Sequence, residues 1–114
     1  MSDHRKDYPI DKLTEDLEKY QIPGYMHGSI INYVRNGWPV GDFLRAIIEG
    51  DFYKAAAHAD EENFQVIGNY ARFFFNCTPA GCFGQKGVVK EWNEHKGLHY
   101  TVLPKAEKST LSTR

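Results

Sequence analysis

The chain has 114 residues, 41% of them apolar and 25% charged, with a net charge of −1. It has too much apolar material for a disordered chain and too little basic excess for a non-specific nucleic-acid binder. No run reaches the roughly 18 apolar residues of a membrane span, and the opening MSDHRKDYPIDK has no leader-like apolar stretch, so the reading is one soluble cytoplasmic domain with no membrane partner.

Residues 1–9 are polar and read as a flexible lead-in. Ile10, Leu13, Leu17 and Tyr20 share one helical face, which predicts a helix over 10–20, broken by Pro23-Gly24. A second helix is predicted from Tyr25 to Asn36, with Met26, Ile30, Tyr33 and Val34 as its apolar stripe and Gly37 as its left-handed stop. Pro39 suits the first turn of a third helix, in which Val40, Phe43, Leu44, Ile47 and Ile48 form the cleanest amphipathic pattern of the chain. Gly50 ends it, and Asp51 can cap a short helix over 52–58 with the small-residue stripe Phe52, Ala55, Ala56, Ala59.

Asp60 can cap a long helix over 61–76, with Glu61 and Glu62 favouring the positive end of its dipole and Phe64, Ile67, Ala71, Phe74 and Phe75 on one face. A turn follows at Thr78-Pro79-Ala80-Gly81. A last helix over 87–95 turns Val88, Val89 and Trp92 inward, stopped by Gly97. Residues 98–114 read as a strap and a disordered tail. The expected fold is all-α: a single compact domain of five or six short helices over 10–97, joined by Gly/Pro turns.

The near-zero charge hides a division. Residues 1–62 carry seven Lys/Arg against twelve Asp/Glu, and residues 63–114 carry seven against three. Such halves attract each other within a fold or present two differently charged faces. Two cysteines are too few for a disulfide framework, so both thiols are expected reduced.

The sharpest chemical pattern is Cys77-x4-Cys82-x12-His95-x3-His99, the spacing of a Cys2His2 zinc finger. Three features oppose it. Cys77 follows a helical pattern where a finger has a hairpin, Lys86 stands where the core aromatic belongs, and Gly97 interrupts the metal-bearing helix. The preferred reading is no metal and no cofactor. Gly84, Lys86 and Gly87 open the last helix and form an anion-binding candidate, since glycines admit close backbone approach and a helix start attracts negative charge. It lacks the phosphate-loop consensus. An aromatic set, Tyr25, Tyr33, Trp38 and Tyr53, supplies candidate partner-binding anchors, with Trp38 on a turn between Gly37 and Pro39. His58 beside Asp60-Glu61-Glu62 reads as a helix cap rather than an acid–base site. No catalytic residues are assigned.

Several segments together resemble a known group. They are Ile22-Pro23, Tyr33-Val34, Gly37-Trp38-Pro39-Val40-Gly41-Asp42-Phe43-Leu44, Ala59-Asp60-Glu61-Glu62-Asn63, Phe74-Phe75-Asn76 and Pro79-Ala80-Gly81-Cys82-Phe83-Gly84, with a helix ending near Trp92. The stretch 22–92 is similar to a family of small, mostly uncharacterised proteins encoded by tailed bacteriophages and prophages. In that family a cysteine stands at the Cys82 position but not at Cys77, and the two histidines are missing, which implies that the finger spacing is coincidental. The resemblance carries no catalytic residue. It implies a non-enzymatic accessory protein that binds a host protein in the bacterial cytoplasm, for counter-defence or host takeover. The alternatives are sequestration of an anionic nucleotide by a homo-oligomer and a zinc-stabilised nucleic-acid module. The near-neutral charge argues against a nucleic-acid partner.

Overall fold

The computed structural model describes residues 3–99. Among these the chain forms seven α-helices and three single 3-10 turns, and it has no strand. Helix α1 (Ile10–Lys19) and helix α2 (Gly24–Asn36) each begin directly after a proline, Pro9 and Pro23, without a side-chain cap. Proline suits that place because it has no N–H to leave unpaired and its ring fixes φ near the helical value. Leu13 and Leu17 of α1 and Ile30, Tyr33 and Val34 of α2 are buried, as the 3.6-residue period predicts. Gly37 closes α2 with φ +69°.

Helix α3 (Asp42–Ile48) starts three residues later than expected. Pro39 is exposed and lies outside the helix; Gly41 holds the N-cap in extended backbone. Gly37 has just ended α2, and the chain uses Trp38–Val40 as an irregular connection rather than as a first turn. Helix α4 (Phe52–His58) is capped as expected, with the Lys54 N–H donating to the Asp51 carboxylate at 3.1 Å.

The expected long helix is two helices, α5 (Glu61–Gln65) and α6 (Ile67–Cys77), separated at Val66 with φ −119° and ψ 20°. The buried face also differs. Phe64 and Phe75 are exposed, while Asn63, Tyr70, Phe73 and Phe74 are buried. The difference is about one residue of helical phase, near 100°. Its cause is a polar side chain taken inside: Asn63 Oδ1 accepts from the Tyr70 hydroxyl at 2.6 Å, so the amide is buried without an unpaired acceptor.

Helix α7 (Val88–Glu94) buries Val88, Val89 and Trp92 as predicted. Trp92 lies 6.5 Å from Tyr33, ring centre to ring centre, and its indole N–H donates to the carbonyls of Tyr33 (2.9 Å) and Val34 (3.2 Å). A buried polar relay joins α2 to α6. Tyr33 Oη donates to the Cys82 carbonyl at 2.8 Å, the Cys82 thiol to Thr78 Oγ1 at 3.3 Å, and Thr78 Oγ1 to the Phe74 carbonyl at 2.7 Å. The result is one compact all-α domain. Residues 3–9, read from the sequence as a lead-in, include a 3-10 turn at Arg5–Asp7, and the His4 N–H donates to the Leu98 carbonyl at 2.9 Å. Most of the expected strap and all of the expected tail lie outside the described residues. No described helix is long and apolar enough to cross a membrane.

Candidate partner-binding surface

Helices α4 and α5 bury little. Ala55 is the buried residue of α4 and Asn63 that of α5. Their aromatic side chains point outward: Tyr53 is 94% exposed, Phe64 56% and Phe52 45%. Large apolar groups left in solvent mark contact surfaces more often than solitary small ones do. The same segment is acidic. Asp51, Asp60, Glu61 and Glu62 are exposed, against one exposed lysine, Lys54.

Tyr25, near the start of α2, adds to this face. Its ring is 59% exposed and its hydroxyl donates to Asp60 Oδ2 at 2.6 Å. The other Asp60 oxygen accepts the Asn63 N–H at 2.7 Å and so caps α5. Asn63 Nδ2 reaches the Tyr25 oxygen at 3.5 Å, and Tyr70 completes the chain from below. One carboxylate thus caps a helix and pins an aromatic ring beside it. The Tyr25 hydroxyl bond, and then the Asn63 N–H, hold the Asp60 carboxyl below the usual carboxylate range. The same bond pushes the Tyr25 phenol up to about 12.

The four aromatic anchors expected from the sequence do not form one patch. Tyr33 is fully buried and belongs to the core, because the 3.6-residue period sets it beside Ile30 and Val34 and its hydroxyl is spent on Cys82. Tyr25 and Trp38 are both exposed, but Tyr25 is the second residue of the 13-residue α2 and Trp38 lies just past its other end. At 1.5 Å per residue they stand about 20 Å apart. Phe52 and Phe64 belong to the exposed surface, whereas the sequence reading set both on inward stripes. The signal available for them was position, since each sits in the first turn of a short helix among acids.

The glycine turn has its negative charge supplied from within. The Val89 N–H at the start of α7 points to Glu49 Oε2 at 3.4 Å, and the Gly84 N–H donates to the Ile48 carbonyl at 2.8 Å. Of the anion-binding candidates, Gly84 thus spends its N–H within the fold, and the nearby Val89 N–H already faces a carboxylate. Of the finger spacing, Cys82 donates to Thr78, Cys77 lies beside Asp16 and His95 is exposed. Burial pushes the Cys82 thiol up to about 12, and burial followed by the neighbouring Asp16 carboxylate pushes Cys77 to about 11. His99 Nε2 pairs with Asn36 Oδ1 at 3.0 Å. Among the described residues no three His, Cys, Asp or Glu side chains gather as a metal centre would need.

No protein-family model matches this chain, and neither a curated protein nor a solved structure matches it.

Proposed function

We propose that this chain is a phage-type accessory protein that acts by binding, without catalysis, and that it covers part of a host protein in the bacterial cytoplasm, inhibiting or redirecting it. The observation that carries the reading is the exposure of aromatic and acidic side chains on α4 and α5, with Tyr53, Phe64 and Phe52 in solvent and Tyr25 fixed to Asp60 at the start of α5. Tyrosine and phenylalanine on short, capped helices supply large contact area at low entropic cost. The surrounding carboxylates suit a basic partner and would steer its approach.

The test is affinity capture on the immobilised full chain. A host protein retained by the wild type should be lost, by at least about tenfold, with Tyr53→Ala combined with Phe64→Ala, and its association should slow as salt rises. Both substitutions are at exposed positions, so the helical circular dichroism should not change. Equal retention by the wild type and the double variant would overturn the assignment.

A further inference from the structure

A cavity of about 490 Å3 lies at the far end of α2, with Asn36, Trp38 and Pro39 on one side and Asn93 and His99 on the other. Backbone fixes how the two sides meet. A Cβ on Gly37 would lie 2.4 Å from the Gly97 nitrogen, so the 3-10 turn Gly97–His99 sits directly on the end of α2. The Trp38 indole, in the wall of the cavity, is 56% exposed, and Pro39 beside it is exposed as well. A large indole beside an open cavity is apolar surface that another apolar group would cover at a gain.

The chain itself arrives there. Leu98 is buried, its carbonyl accepts the His4 N–H at 2.9 Å, and His99 Nε2 pairs with Asn36 Oδ1 at 3.0 Å. The described part of the chain therefore ends, at His99, on the rim of the cavity. Gly97 touches Gly37, so His99 is two residues past that contact and Trp38 is one. The next five residues are Tyr-Thr-Val-Leu-Pro. Extended, they reach about 17 Å, enough to pass Trp38 from His99. Tyr100, Val102 and Leu103 place three large apolar side chains within four residues, whereas in residues 105–114 the apolar ones are Ala106 and Leu111. The apolar stretch thus coincides with the passage beside the cavity. A terminus is ordered where something ties it down, and burial of apolar side chains does so.

We propose that residues 100–104 of this chain occupy the cavity and that Val102 and Leu103 cover the Trp38 indole. The contact is apolar and needs no polar group of the walls. Trp38 then belongs to the closure of the protein's own chain end and is not a contact for a partner. The assignment does not rest on the partner-binding face of α4 and α5.

Acrylamide quenching of tryptophan fluorescence in the full chain tests it, with the buried Trp92 as internal reference. Val102→Ser combined with Leu103→Ser should raise the quenching constant at least about twofold, with unchanged helical circular dichroism. In a Trp38→Phe background the same serine pair should change nothing; a change there would trace the effect to Trp92 and overturn the proposal. Nuclear Overhauser contacts between the Trp38 indole and the methyl groups of Val102 or Leu103 should appear in the wild type. Dilution by about a hundredfold should leave the wild-type quenching as it is, because a contact within one chain does not depend on concentration. Equal quenching of the wild type and the serine pair would overturn the proposal, as would absence of the Overhauser contacts. Quenching that rises on dilution would also overturn it, in favour of a second copy of this chain in the cavity.

Discussion

The two ends of α2 are held in opposite ways. At the first turn, Tyr25 is fastened by side chains: its hydroxyl bonds Asp60, which caps α5, and Asn63 and Tyr70 complete the chain inward. At the last turn the fastening is the lack of side chains. Gly37 and Gly97 press backbone against backbone, and the Trp92 indole N–H donates to the Val34 carbonyl, whose helical donor Trp38 N–H turns to Asn32, and adds a second donor to the Tyr33 carbonyl, which already accepts from Gly37. A junction of side chains has several parts, and each can be weakened without losing the rest. A junction of bare backbone has one geometry. The first end can carry exposed side chains that tolerate change, while the second fixes how the end of the chain's described part meets α2.

The largest expected effect separates these ends directly. Gly37→Ala or Gly97→Ala places a Cβ against backbone at 2.4 Å and in a left-handed conformation, so each should cost at least about 3 kcal/mol by denaturant unfolding. A loss under about 1 kcal/mol would mean that the crossing yields. Next, Trp92→Phe takes the indole donor from the Val34 carbonyl and one of two donors from the Tyr33 carbonyl, and should cost about 2 kcal/mol. At the other end, Tyr70→Phe leaves the buried Asn63 Oδ1 without its donor and should cost about 1 to 2 kcal/mol. Within the same helix Gly28 has open space around it, so Gly28→Ala should stabilise by about 0.5 to 1 kcal/mol, the reverse of Gly37→Ala.

The smallest effect is in pH dependence. The depressed Asp60 pKa adds stability that is present above the ordinary carboxylate pKa and lost as pH falls through the depressed folded value. The raised Tyr25 pKa adds stability that is present below about pH 10 and lost as pH rises through about 12. Both shifts have the same hydrogen bond as their first cause. Tyr25→Phe should therefore weaken the acid and alkaline dependence of unfolding together, whereas Trp92→Phe should leave both unchanged.

Much of the fold was legible in the sequence because it rests on local rules. The apolar period and the Pro and Gly stops located α1, α2, α4 and α7 to within a residue or so, and the caps at Asp51 and Asp60 are where their side chains predict. What was not legible depended on distant partners. Asn63 reads as outward until Tyr70 is known to meet it, and that pair sets the phase that leaves Phe64 exposed. Tyr25 and Asp60 are 35 positions apart, and nothing in either segment signals their bond. The exposure of Trp38 followed from its place on a turn, but its separation from Tyr25 needed the length of α2. Among the described residues Asn93 Oδ1 is buried without a partner, which is invisible in sequence because it is a property of everything around the amide.

The buried relay from Tyr33 to Cys82 bears on biosynthesis. The bonds that finish the core join residues far apart in order of translation: 33 with 82 and 92, 36 with 99, and 4 with 98. A ribosome-bound chain that has emerged only through α6 carries Tyr33 with no acceptor, and it lacks both Trp92 and the glycine that faces Gly37. Such a nascent segment has helical propensity but no finished interior, and its stability arrives with the last few described residues rather than accumulating helix by helix.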